Sequence, residues 1–171
     1  MSSRVELGPI TAPESEVMFR WFNDPDAART DYAWRPVDTL SHQKWYLSLG
    51  TEASQVWFSI RRRGQPGVAG MIGFVVLRHI SQVHRAAELG VRIGSEADRG
   101  QGLGTEAARL AVEYCWNSLN LERLQVAVLG GNERSLRLYR SLGFEREGVL
   151  RRALYIDGAW HDNVIMGLLR P

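Results

Sequence analysis

Residues 98–105 read Asp98-Arg99-Gly100-Gln101-Gly102-Leu103-Gly104-Thr105. They lie between an extended apolar run, Ala87 to Ile93, and a run in which Leu103, Ala107, Leu110, Ala111, Tyr114 and Cys115 recur at helical spacing. Strand, glycine-rich turn and helix start therefore follow one another without a gap. The first N–H groups of a helix have no intrahelical partner and carry the positive end of the macrodipole, so an anion is favoured there. Gly100, Gly102 and Gly104 let the backbone bend tightly and let a ligand approach with no Cβ in the way. Arg99 is expected to add a permanent cation at the mouth. The stretch predicts a phosphate cradle; a glycine-rich strand-to-helix turn with no ligand is the alternative. Its spacing is neither G-x-x-x-x-G-K-[ST] nor G-x-G-x-x-G, which excludes a P-loop and a dinucleotide fingerprint.

Upstream, Val5 and Leu7 form a short strand closed by Gly8-Pro9. A helix begins at Thr11, with Glu14 and Glu16 near the positive end of its dipole and Val17, Met18, Trp21 and Phe22 on its apolar face; Asn23-Asp24-Pro25 stops it. Ala27 to Leu49 mixes Tyr32, Trp34, Trp45 and Tyr46 with Arg35, His42 and Lys44. It reads either as two short helices with core-facing aromatics or as a wall of an acceptor pocket. Val56, Phe58 and Ile60 alternate with Trp57, Ser59 and Arg61 in a strand whose end, Arg61-Arg62-Arg63, is expected to be solvated, with phosphate binding as the alternative. Gly64-Gln65-Pro66-Gly67 reads as a hairpin turn, Val68 to Leu77 as the next strand, Arg78 to Arg85 as a connection and Ala86 to Ile93 as the central strand.

After the long helix, which ends near Asn117 to Asn120, Leu124, Val126 and Val128 alternate in another strand. A second helix runs from Glu133 to Leu142, with Asn132 as N-cap and Gly143 as its stop. Phe144 to Leu169 reads as two strands joined at Asp157-Gly158, a pair favoured in two-residue hairpin turns. The sum predicts one α/β (α+β) domain over residues 1–171, with a mixed, largely antiparallel sheet of about six or seven strands and helices on both faces.

A chain of 171 residues is long enough for one sizeable core, and 44% apolar with 23% charged residues is ordinary for a globular protein. A net charge of +2 gives no case for nucleic acid. Cys115 is the single cysteine, which excludes an intrachain disulfide, and its helical position reads as core. No apolar run approaches a membrane span, and the start lacks a basic-then-apolar segment, so a cytoplasmic protein without a membrane partner is expected. A homodimer is left open.

Three separated segments carry a resemblance. The first is Arg99-x-x-Gly102-x-Gly104 and the second is Asn132-x-x-Ser135-x-x-x-Tyr139-x-x-x-Gly143-Phe144. The third is Glu147-Gly148-Val149-Leu150-Arg151, then Tyr155-Ile156-Asp157-Gly158-x-x-His161-Asp162, ending in Met166-Gly167-Leu168-Leu169. In this order they resemble the GNAT superfamily of acyl-CoA-dependent N-acyltransferases. The third, with Trp21-Phe22-Asn23-Asp24-Pro25, is similar to the RimJ/RimL-type branch, whose members acetylate protein N-termini, polyamines, amino sugars or antibiotics. The resemblance covers nearly the whole chain. It implies the GNAT fold, acetyl-CoA as cosubstrate, an amine acceptor and direct attack in a ternary complex, with no metal.

An acceptor amine with a pKa near that of lysine, roughly 10, must lose a proton before it can attack a thioester. Glu88, on the central strand, resembles the family's general base in position; a strand glutamate facing solvent or paired with an arginine is the alternative. Asn132 and Tyr139 are two turns apart on one helix face. The resemblance makes Tyr139 the general acid near the thioester sulfur and sets Asn132 against the pantetheine region or an ordered water; a core tyrosine and a plain N-cap are the alternatives. It also implies a splayed central strand whose backbone groups at Leu89, Val91 and Ile93 bind the pantetheine arm, with Arg99, Gly100, Gln101, Gly102, Leu103, Gly104 and Thr105 around the pyrophosphate. Arg137 and Arg140 either reach the 3′-phosphate or join Arg134 in a solvated face.

Acceptor candidates are Tyr32, Trp34, Arg35, Tyr155, Trp160 and His161. Aromatics suit a sugar face or a cationic amine, Arg35 suits an acidic acceptor, and His161 serves the acceptor, acts as a second base, or is structural beside Asp162. An N-terminal peptide amine and a small amine such as an amino sugar or polyamine both stay open. So does a longer acyl donor such as succinyl. The rival from another class is a non-catalytic acyl-CoA-binding module with the same fold.

Overall fold

The computed structural model describes residues 3–25, 35–65 and 67–171. Among these, seven strands form one sheet in the order β1-β2-β3-β4-β5-β7-β6. They are β1 (Val5–Gly8), β2 (Val56–Arg62), β3 (Met71–Ser81), β4 (Ala86–Ile93), β5 (Arg123–Leu129), β6 (Glu145–Ile156) and β7 (Ala159–Leu169). The β4–β5 pairing is parallel and the other neighbours are antiparallel. The helices are α1 (Ala12–Phe22), α2 (Thr39–Ser48), α3 (Leu103–Asn117) and α4 (Glu133–Ser141). The expected mixed, largely antiparallel architecture is what forms.

Strand alternation sends side chains to two cores. On one face Ile60, Val75, Leu77, Ala87, Leu89, Leu124 and Val126 pack beneath Leu103, Ala107, Ala111 and Cys115 of α3 and Leu136 and Tyr139 of α4. On the other face Met71, Phe74 and Trp57 pack against Val17, Met18 and Trp21 of α1 and Trp45 of α2. Helices therefore cover both faces. The turn at Asp157 and Gly158, with φ of +50° and +80°, joins Ile156 to its partner Ala159 in the two-residue hairpin expected of that pair. Asn132 caps α4 by accepting from the Ser135 N–H at 3.1 Å, and Gly143, at φ +91°, ends the helical stretch.

Two expectations are corrected. The strand expected from Val68 to Leu77 starts at Met71 and runs on to Ser81, because Gly67–Gly70 forms a 3-10 turn instead. At Gly70 a Cβ would stand only 1.7 Å from the Gln65 carbonyl oxygen, so the chain there is folded back on itself and not extended. Arg61-Arg62-Arg63 is not a solvated strand end. Arg61 donates to Glu14 and to the Pro9 carbonyl, Arg62 to Asp98 and Arg63 to the Ser3 carbonyl. Sequence spacing cannot show these partners, because strand pairing brings them together from 36 to 60 residues away.

Candidate active site

The glycine-rich stretch is built as a cradle. Gly94 leaves the end of β4 flat against Trp21, where a Cβ would lie 2.0 Å from the ring. After a short 3-10 turn (Glu96–Asp98), Gly100 and Gly102 take φ of +79° and +80°, a region that costs side-chain-bearing residues strain, and Gly102 is the N-cap of α3. Leu103, 1% exposed, anchors the first turn in the core. The loop, the first turn of α3 and one side of α4 enclose a cavity of about 530 Å³ lined in part by Ile93, Arg99, Gly100, Gly102, Gly104 and Thr105.

Arg99 does not stand at the mouth as a free cation. Its guanidinium donates to the Ile93 and Gly94 carbonyls, both at 3.2 Å, and so clamps the loop onto the end of β4. The cations on the cavity wall that make no hydrogen bond or ion pair with a described residue are Arg134 and Arg137. Arg140 is not on that wall. Arg134, expected only in a solvated face, is on the cavity wall; Arg134, Arg137, Leu138 and Ser141 follow one another along one face of α4, and all four line the cavity. Gln101 also turns away. Its side-chain amide donates to the Ala97 carbonyl at 2.7 Å, and its backbone carbonyl accepts from Arg4 at 2.8 Å.

The N-terminal strands brace this loop from outside. Arg62, at the end of β2, pairs with Asp98 at 2.7 Å, and Arg4 bonds the Glu106 carboxylate of α3 at 2.7 Å. Partly exposed pairs of this kind contribute about 0.2–1 kcal/mol each, which corresponds to roughly a threefold effect on a bound state that needs the loop in place. Arg62→Gln is accordingly expected to raise KM for acetyl-CoA about threefold with kcat unchanged, measured by steady-state kinetics. A changed kcat with unchanged KM would show that Arg62 does not act through the loop.

Behind the cradle the sheet opens. β4 and β5 pair only from Ala86 to Glu88 against Arg123 to Gln125, and beyond Glu88 the two strands separate. The Gly94 N–H bonds the Ile72 carbonyl at 2.9 Å, which sets the phase of the β3–β4 ladder. Even-numbered residues of β4 thus bond β3, and Leu89, Val91 and Ile93 aim their N–H and C=O groups at the gap. A second cavity of about 170 Å³ occupies it, lined among others by Leu89, Val91, Val128, Leu129 and Tyr139. Val91, Arg92, Asn132 and Ser135 wall both cavities, so one path runs from the glycine loop into the gap.

Glu88 and Tyr139 meet at this second cavity from opposite faces of the sheet. Tyr139, 6% exposed, comes from the α4 side, its ring held edge-on to Phe144 at 5.3 Å. Glu88 faces the α1–α2 side, directly across from Arg78 in the β3–β4 register, with the His79 Nδ1 at 3.8 Å from its carboxylate. Phe22, Trp57 and Phe74 complete the wall on that side. These aromatics were not among the acceptor residues expected. Trp57 alternates with apolar Val56 and Phe58, a pattern of a strand covered on both faces, and that was the available signal.

The described residues among those expected at the acceptor do not line these two cavities. Arg35 is exposed and lines neither cavity; Tyr155 and Trp160 pack with their rings tilted, 5.2 Å apart, on the exposed β6–β7 hairpin, and His161 also lines neither cavity. Tyr32 and Trp34 lie outside the described residues. Cys115 is fully buried, and burial pushes its thiol up to about 12, which removes it as a nucleophile. Among the described residues there is no group of three or more potential metal ligands, and no helix is long and apolar enough to cross a membrane.

Residues 4–145 match the family described as "Acetyltransferase (GNAT) domain". The uncharacterized N-acetyltransferase YoaA of Bacillus subtilis (strain 168) is 30% identical over 174 residues, spanning 99% of this chain and 96% of that protein. The [ribosomal protein uS5]-alanine N-acetyltransferase of Escherichia coli (strain K12) is 30% identical over 187 residues, spanning 98% and 95%. Spermidine N(1)-acetyltransferase of the same strain is 40% identical over 94 residues, covering 55% of this chain and 50% of that one. In three dimensions, spermidine N-acetyltransferase from Vibrio cholerae, solved with CoA and spermine, superposes with a TM-score of 0.89 at 22% identity, over 98% of this chain and 96% of the other. A splayed β4–β5 pair behind a glycine cradle, on a chain matched over most of its length, leaves one assignment: this protein belongs to the GNAT acetyltransferase family, whose members use acetyl-CoA.

Proposed function

We propose that this chain is a RimJ/RimL-like, cytoplasmic N-acetyltransferase, one domain over residues 1–171, that passes the acetyl group of acetyl-CoA to a primary amine within a ternary complex. The observation that carries the reading is the convergence of Glu88 and Tyr139 on one cavity that continues into the glycine cradle. The cavities fit the donor. Helix-terminal N–H groups with Arg134 and Arg137 suit its phosphates, and the backbone edge of Leu89, Val91 and Ile93 suits its amide-bearing arm. When bound, acetyl-CoA supplies an activated thioester.

The chain's own residues then divide the proton work. A Glu88 carboxylate oxygen accepts the proton that the amine must lose, directly or through water, and the Tyr139 Oη donates one toward the departing sulfur. Backbone N–H groups of β4 in the gap are aimed where negative charge develops on the carbonyl oxygen. Asn132 keeps its side chain on the α4 cap and serves the donor from the shared wall. Self-association as a homodimer is supported by Leu150, Tyr155 and Trp160, all more than half exposed on the β6–β7 hairpin.

The test is incubation with acetyl-CoA and a panel of N-terminal peptides, polyamines, amino sugars and aminoglycosides, following thiol release and product mass. Acetylated product is expected. Bound CoA with no product from any amine would favour the non-catalytic module. Glu88→Gln is expected to lower kcat/KM about tenfold at neutral pH and to flatten the acid limb of the pH–rate profile. An unchanged profile and turnover would remove Glu88 as the base.

A further inference from the structure

We infer that the acceptor is a small amine carrying its own anionic group, a carboxylate or phosphate, and that Arg78 selects it. The inference rests on the reading of the Glu88–Tyr139 cavity as the acceptor site. In the strand register Arg78 stands opposite Glu88, and Gly90 opposite Val76, so Arg78, Glu88, Gly90 and Arg92 share one face of the sheet. All four line the smaller cavity.

The Arg78 guanidinium lies over the Trp57 ring at 5.7 Å and makes no hydrogen bond or ion pair with any described residue. Packing on an indole holds a guanidinium in place but uses only its flat face, and its five N–H donors stay available at the edge, in a geometry that matches a carboxylate or phosphate. The same packing gives the Trp57 face a cation of its own, so that face is not offered to a ligand ammonium. On the acceptor wall Arg78 stands as a cation beside one carboxylate, Glu88. One amine finds a partner in Glu88. A polyamine, whose further charges each need a carboxylate, meets the Arg78 guanidinium instead.

Size agrees with charge. Arg78 and Glu88 face one another in the β3–β4 register at roughly 5.5 Å between Cα atoms, and Gly90, the next residue on that face of β4, puts no side chain beside them. A cavity of about 170 Å³ with an acid and a cation at that scale suits a zwitterion of amino-acid dimensions.

The test uses matched pairs: glutamate and its diamide, 4-aminobutyrate and its amide, and O-phosphoethanolamine and ethanolamine, with spermidine and an acidic-N-terminal pentapeptide beside them. Binding to the CoA-loaded protein is read by calorimetry and acetylation by product mass. At least one anionic amine is expected to bind and react at least tenfold better than its neutral partner and than spermidine; whether it is a carboxylate or the phosphate tells the two anions apart. Arg78→Gln is expected to erase that advantage with KM for acetyl-CoA within twofold, and Arg78→Lys to restore part of it. Spermidine binding as well as the anionic amines, a preference that survives in Arg78→Gln, or turnover of the pentapeptide alone would each overturn the inference. Acetyl-CoA binding without binding of any anionic amine would overturn it as well, leaving the donor site standing. Failure to bind acetyl-CoA at all would instead sink the reading on which it rests.

Discussion

Replacing Tyr139 by phenylalanine is expected to lower kcat by about 10- to 1000-fold, while the dissociation constant for acetyl-CoA moves by less than about threefold. The asymmetry follows from where the residue sits. Its ring is buried in the main core and packs edge-on against Phe144, and phenylalanine keeps both contacts. What is removed is one hydroxyl at the wall of the smaller cavity, away from the glycine cradle that would hold the phosphates. A group that acts only when the carbon–sulfur bond breaks is seen in kcat and hardly in donor binding, because its interaction is stronger in the transition state than in the ground state. Calorimetric titration with acetyl-CoA and steady-state kinetics on the same preparation separate the two. Turnover equal to that of the unaltered protein would remove Tyr139 from the mechanism and leave it a core residue.

The features legible in the sequence are those whose cause is local. Gly100 and Gly102 mark a turn that needs positive φ, Asp157-Gly158 marks a two-residue hairpin, and Asn132 marks a helix start; each depends on a few neighbouring residues. The β4–β5 gap was legible only through resemblance, since nothing in Ala86 to Ile93 says where pairing with β5 ends. What stayed hidden depends on register between distant strands. Arg99 has an obvious charge, but its use as a clamp depends on where the Ile93 and Gly94 carbonyls end up. Arg78 read as part of a loop, and it faces Glu88 only because β3 runs on to Ser81. Phe22, Trp57 and Phe74 come from α1, β2 and β3, and no spacing rule joins them. Tyr155 and His161, expected at the acceptor, line neither cavity, although Leu154 and Asn163 of the same strand pair do line the gap; which residues of a hairpin reach a cavity depends on register and not on spacing.

Glu14→Ala is expected to destabilise the fold by about 3 kcal/mol, or roughly 10 °C in Tm. Glu14 is fully buried, and its carboxylate accepts from the Thr11 N–H and hydroxyl, both at 2.8 Å, from the Ser59 hydroxyl at 2.9 Å and from the Arg61 guanidinium at 2.5 and 2.7 Å. Burial alone would raise the carboxyl pKa, but the Arg61 hydrogen bonds, helped by those from Thr11 and Ser59, outweigh it and hold it at about 2 against an ordinary 4.5. The folded state thus binds its proton more weakly than the unfolded chain, and protonation favours unfolding. The stabilisation is complete above about pH 4.5 and is lost as pH falls toward 2. A depression from 4.5 to about 2 corresponds to about 3 kcal/mol, which agrees with the cost of leaving a buried cation without its partner. Denaturant melts of the protein and of Glu14→Gln between pH 2 and 7 check the sign: the variant should be less stable at pH 7 and should lose less stability on acidification. Replacing Glu14 and Arg61 together by leucine should cost less than either single change, because no charge is then left stranded. The network also bears on the site. It fixes α1 to β2, and α1 carries Trp21 against Gly94 at the cradle and Phe22 on the wall of the smaller cavity. Acid that breaks the pair should therefore loosen both ends of the path before the core itself gives way, visible as faster hydrogen exchange in α1 than in α3 near pH 3.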